Sequence, residues 1–83
     1  MRRLYAGIDL HSNNNVVVVT DDEDRVVYRK RLRNELDAVV GALSPYSGLL
    51  VGVVVESTYN WYWLVDGLMA HGYGLHLANT GAI

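Results

Sequence analysis

The chain contains no cysteine, which excludes a disulfide framework and a thiolate zinc site and makes a reducing cytoplasm the expected compartment. Long apolar runs are also missing. The longest, Gly48 to Val55, falls far short of the roughly 20 residues that cross a bilayer, so it reads as a buried strand and no membrane partner is expected. Leu4 to Leu10 is too short, and too interrupted by Gly7 and Asp9, to be a secretion signal. Excess charge of one sign is absent too. The net charge is −2 and the pI near 5.8, so the domain as a whole lacks the basic character of a nucleic-acid binder.

What is present is a packed domain. Hydrophobic residues make up 51% of the 83 and charged residues 19%, a balance that favours a folded interior over disorder. That length suits one small domain with one core. Charge is segregated within it. Five of the seven basic residues, Arg25, Arg29, Lys30, Arg31 and Arg33, share a nine-residue stretch, directly after the acidic run Asp21, Asp22, Glu23 and Asp24.

Leu4 to Leu10 and the valine-rich Asn15 to Thr20 read as strands joined by the polar turn "HSNN". "DDED" supplies a second reversal before a third strand, Arg25 to Leu32, giving an antiparallel meander. Leu36, Val39, Val40 and Leu43 have the spacing of a helix with one apolar stripe, with Asn34 as its expected N-cap and Pro45 and Gly48 as its breakers. Leu49 to Val55 is a nearly uninterrupted aliphatic run, expected at the centre of the sheet and covered on both faces. A second helix follows from Asn60 or Trp61. Its expected apolar face is Trp61, Leu64, Val65, Leu68 and Met69, with Gly72 as C-cap. Leu75 to Ala78 is a last short strand. The order is β-β-β-α-β-α-β, an α/β class with a mixed sheet.

Two acidic residues stand at strand ends, Asp9 in "GIDL" and Glu56 in "VVVEST". If the first and fourth strands lie parallel and adjacent, about 4.8 Å apart, both carboxylates reach the carboxyl edge where α/β sheets bind ligands. Two oxygen ligands there suit a hard cation such as Mg2+ or Mn2+, whose remaining positions are filled by water and substrate phosphate oxygens. The plainer alternative is that Asp9 caps a turn and Glu56 the helix after it. Glu56 resists that reading, because Ser57, Thr58 and Asn60 are better caps.

The stretch "YAGIDLHSNNNVVVVTDDEDRVVYRKRLRN", then "VVVEST" and "YNWYWLVDGLMAHGYGLHLANTGAI", resembles the amino-terminal domain of DEDD-type insertion-sequence transposases, the family of the pilin-gene invertase and the bridge-RNA-guided recombinases. The resemblance spans essentially all of residues 1–83. It implies a ribonuclease H-like, RuvC-type fold that breaks off before its last helix, with Asp9 and Glu56 as the first two of four metal-binding acids. The other two belong to a DxxD motif, expected beyond Ile83 together with a carboxy-terminal domain bearing a nucleophilic serine. The implied activity of the full-length protein is metal-dependent DNA strand cleavage and transfer, in transposition or site-specific recombination, with the 83-residue piece inactive alone. The implied partners are DNA, a guide RNA in the RNA-guided branch, and further copies of the chain in a homo-oligomer. The implied setting is the bacterial cytoplasm, at the nucleoid.

The basic stretch from Arg25 to Arg33 is read in two ways of equal weight: a groove for nucleic-acid phosphates, or charged protection of an edge strand. "YNWYW" offers faces for base stacking, though Trp61 is expected in the core. His11 lies two residues after Asp9, close enough to approach a metal, but a turn histidine is usually solvated. His71 and His76 show no ligand spacing, and Ser57 lacks a nucleophile elbow and suits a helix start. Two rival functions stay open. Actin-like and sugar-kinase ATPases also open on a strand-end aspartate, although their phosphate-gripping hairpins need the glycine that "HSNNN" lacks. A non-catalytic interaction module is the other.

Overall fold

The computed structural model describes residues 3–57 and 60–78. The chain runs through β1 (Leu4–Leu10), β2 (Asn14–Asp21), β3 (Val26–Arg33), α1 (Leu36–Leu43), β4 (Leu50–Glu56), α2 (Tyr62–Ala70) and β5 (Leu75–Ala78), with a 3₁₀ turn at Ser44–Tyr46 where Pro45 ends α1. All strands join one mixed sheet in the order β3-β2-β1-β4-β5. β1 pairs antiparallel with β2 and β2 with β3, while β1 pairs parallel with β4 and β4 with β5. This is the expected element order.

Both helices lie against one face of that sheet, and alternation along the strands explains why. Leu4, Ala6, Ile8 and Leu10 of β1 are buried, as are Val17 and Val19 of β2 and Val53 and Val55 of β4. These residues stand on a common face because successive strand side chains alternate sides. Val39 and Leu43 of α1 and Leu64 and Leu68 of α2 complete the same core. Burying each such side chain contributes roughly 1.5–3 kcal/mol. The helices meet closely at Gly67, where an added Cβ would come within 2.5 Å of Leu36 Cδ2.

Three sequence expectations need correction. The β4 run is an interior strand, between β1 and β5, rather than the centre of the sheet, which is β1, and it is covered on one face only: Val54 is 42% exposed, because both helices pack on the opposite side. Met69 is exposed at 58% rather than part of the α2 stripe. At 100° per residue it sits about 90° around the helix from the centre of the buried arc set by Leu64, Leu68, Trp61 and Val65. Asn34 does not cap α1. The N-cap is Glu35, without a side-chain cap bond, because the Asn34 amide is committed elsewhere, as described below. The glycine stop is seen one residue beyond the cap: the C-cap of α2 is His71, and Gly72 after it takes φ +89, a conformation open to glycine, its N–H donating to Met69 C=O at 2.9 Å.

No helix among the described residues is long and apolar enough to cross a membrane.

Candidate functional site

With the helices on one side, the other face of the sheet is open, and register determines what lines it. Asp9 is the Cα partner of Glu56 across the parallel β1–β4 pair. Directly opposite residues point to the same side of a sheet, so both carboxylates stand together on the open face, at the carboxyl ends of both strands. Asp9 is also opposite Val16, Val16 opposite Arg31, and Glu56 opposite Ala78. One transverse row therefore reads Arg31, Val16, Asp9, Glu56, Ala78. The next row reads Arg29, Val18, Gly7, Val54, His76. At the acids lies a shallow depression of about 260 Å³, lined by Asp9 and Glu56 themselves together with Gly7, Val16, Val18, Val54 and Ala78. The missing side chain at Gly7 leaves its middle open, and no atom lies within 4 Å of where a Cβ would be.

The approach to this depression is shaped by the β1–β2 hairpin, which reverses through Ser12 and Asn13 and is closed by His11 N–H donating to Asn14 C=O at 2.8 Å. His11 Nε2 lies 3.2 Å from Asp9 Oδ2, both side chains being about half exposed. The contact follows from the two-residue spacing, which puts Asp9 and His11 on one side of extended chain. That signal was present in the sequence. The hairpin is anchored from behind: Asn34 Nδ2 donates to His11 C=O at 2.8 Å, and Asn34 Oδ1 accepts from Asn15 Nδ2 at 2.9 Å. Asn15 is fully buried, and its Nδ2 also faces the Arg33 carbonyl at 3.3 Å. No sequence pattern announced this pair of asparagines, because they are 19 residues apart and meet only across the β2–β3 ladder.

The five basic residues of the charged stretch separate into three settings. Arg29, Arg31 and Arg33 alternate along β3 and share the open face with Asp9 and Glu56. Lys30 is opposite the buried Val17 and so belongs to the helix side, at the exposed edge. Arg25 is held in the β2–β3 turn, its Nε 3.0 Å from Asp21 Oδ2 and its Nη2 3.2 Å from Glu23 Oε1. Asp21 organises that turn, accepting from the Glu23 and Arg25 backbone N–H groups at 2.9 and 3.0 Å. The Arg25 backbone N–H, and after it Glu23 N–H and the Arg25 guanidinium, hold the Asp21 carboxyl below its usual range despite partial burial. Asp24 completes the reversal with φ +63, a conformation that Asp adopts more readily than most residues.

The donor set at Asp9 and Glu56 consists of two adjacent carboxylates with open solvent in front. Among the described residues no three His, Asp or Glu side chains converge into a closed metal cage. Two carboxylates do suit Mg2+, which commonly takes one or two and keeps several waters. Of the remaining candidates, His76 stacks toward Gly52, its Cδ2 3.6 Å from where a Cβ there would be, and Ser57 is buried just past β4. Trp61 stacks on Tyr62 with ring centroids 4.1 Å apart. Trp61 also packs against the core, whereas Tyr62 is 61% exposed. Thr58 and Tyr59 lie outside the described residues. In comparison with known proteins, the chain matches no family model and no curated protein at a significant level.

Proposed function

We propose that this chain is the amino-terminal part of a ribonuclease H-like, DEDD-type DNA transposase or site-specific recombinase, in which Asp9 and Glu56 hold a divalent cation beside a nucleic-acid backbone. The observation that carries the reading is the parallel register that makes Asp9 the partner of Glu56, with both on the open face. The element order and the mixed sheet, with β1 central and β4 parallel to it, agree with such a domain. An open face suits this chemistry, because Mg2+ or Mn2+ shares its coordination between protein carboxylates, water and the phosphate it acts on. When bound, the cation supplies Lewis-acid polarisation of a phosphodiester and orientation of the attacking oxygen. The residues' own part is to present two negative charges at fixed separation, with His11 steadying the Asp9 carboxylate through its 3.2 Å contact.

Mn2+ titration followed by electron paramagnetic resonance tests the pair directly. The unmodified chain should bind Mn2+, and Asp9→Asn or Glu56→Gln should each weaken binding by at least about tenfold, since even outer-shell changes at metal sites cost 10–100-fold. Both variants should keep the far-ultraviolet circular dichroism of the parent, as both side chains are exposed. Mn2+ affinity unchanged in both variants would remove the proposal's basis.

A further inference from the structure

Deepening the nucleic-acid part of the proposed function, we infer that Arg29, Arg31 and Arg33 form a phosphate track for one nucleic-acid strand, running along β3 on the same open face as Asp9 and Glu56. At a rise of about 3.4 Å per residue, alternate residues of β3 are about 6.8 Å apart, so the backbone positions of the three arginines span about 14 Å. A linear row of like charge matches a linear polyanion. Arg and Lys neutralise phosphates without reading sequence, so the track supplies position and affinity.

The setting of Arg31 distinguishes this from edge protection. Its Nη1 donates to Asn14 Oδ1 at 2.9 Å, and Asn14 belongs to β2, the inner neighbour of β3. The guanidinium is thereby drawn inward over the sheet face and not outward from the edge, where a charge that blocks strand pairing is most effective. Arg33 pairs at 3.1 Å with Glu35, but both side chains are more than half exposed, so a phosphate can compete for it at little cost. Between this track and β1 stand Val16 and Val18 of β2, which with Gly7 line the same depression as the two acids. Two inter-strand steps of about 4.8 Å separate β3 from β1, so Asp9 is about 10 Å from the track.

Fluorescence anisotropy with fluorescein-labelled dT20 and rU20, in EDTA so that the cation site plays no part, tests the track. Arg29→Gln with Arg31→Gln removes two charges from the open face. Arg25→Gln with Lys30→Gln removes two charges from the turn and the helix side. With a salt slope of about −0.7 per phosphate for single strands, losing two contacts should flatten the log–log slope by about 1.4 and weaken binding about 60-fold at 50 mM salt. The control pair should change affinity by less than about threefold. Equal losses in both double variants would overturn the open-face track while leaving a nucleic-acid role standing, because bulk charge alone would then explain binding. An unmodified chain that binds neither oligonucleotide overturns the track, whereas the Mn2+ titration judges the cation pair independently. Self-association of the Arg29 and Arg31 variant with undiminished binding would return these residues to edge protection. A preference between dT20 and rU20 identifies which strand chemistry the track takes.

Discussion

Replacing Asn15 with Asp should be among the most damaging single changes in this chain, although it alters one atom. Asn15 is fully buried, and the orientation of its amide is fixed by its surroundings: the Nδ2 position faces Asn34 Oδ1 at 2.9 Å, the Arg33 carbonyl at 3.3 Å and the Leu32 carbonyl at 3.5 Å. Three oxygens around one atom require a donor there. Asn15→Ala removes two good bonds and strands Asn34 Oδ1, at a cost of roughly 1–3 kcal/mol, while the Arg33 carbonyl keeps the Glu35 N–H at 2.8 Å. It also deletes Asn15 Oδ1, which is buried without a partner, so the net loss should be about 2 kcal/mol. Asn15→Asp puts a fourth oxygen among the three and buries a charge, for a loss of about 4 kcal/mol or more. A domain of this size has about 4–12 kcal/mol in total. In urea, with a slope of about 1 kcal/mol/M, the alanine variant should lose about 2 M in midpoint, and the aspartate variant should be close to unfolded without denaturant. Lower pH should partly rescue the aspartate variant, because a protonated carboxyl regains one donor and its raised folded pKa makes stability increase as pH falls. Circular dichroism across urea and pH reads all of this. An aspartate variant with the parent's midpoint would refute the network, and with it the anchoring of the His11 hairpin.

Other consequences are equally checkable. Asp21 has a lowered folded pKa, so its stabilisation is complete above the unfolded value of about 4 and is lost as pH falls through the folded one. Melting temperatures followed from pH 6 to pH 2 should therefore decline more steeply for the parent than for Asp21→Asn, and parallel curves would contradict the assignment. Gly67→Ala gains about 1 kcal/mol of helix propensity but sets a methyl 2.5 Å from Leu36 Cδ2, an overlap of the kind that costs 1–3 kcal/mol. It should be neutral to destabilising alone and stabilising in a Leu36→Ala background, a coupling of about 1 kcal/mol or more in a double-mutant cycle. Simple additivity would show that the helices do not meet at this point.

Much of the fold was legible because its signals are local. The valine alternation of β2, the helical spacing of Leu36, Val39, Val40 and Leu43, and the Gly72 stop each depend on neighbours within a few residues. Asp9 and Glu56 could be singled out because each ends an apolar run. Coverage was less legible: an aliphatic β4 reads the same whether helices take one side of the sheet or both. Asn34 misled for a similar reason, since an asparagine before a helix is a good cap until another partner engages it. Its partner Asn15 lies across the sheet.

The sequence by itself determined the elements, their order, and which residues carry charge at strand ends, because period and turn chemistry act over short stretches. Only the tertiary structure decided that Asp9 faces Glu56, that Arg29, Arg31 and Arg33 share their face while Lys30 and Arg25 do not, and that this face is open. Those facts depend on register. A slip of one residue between strands would move every one of these side chains to the opposite side, and register is set by pairing and packing across the whole sheet.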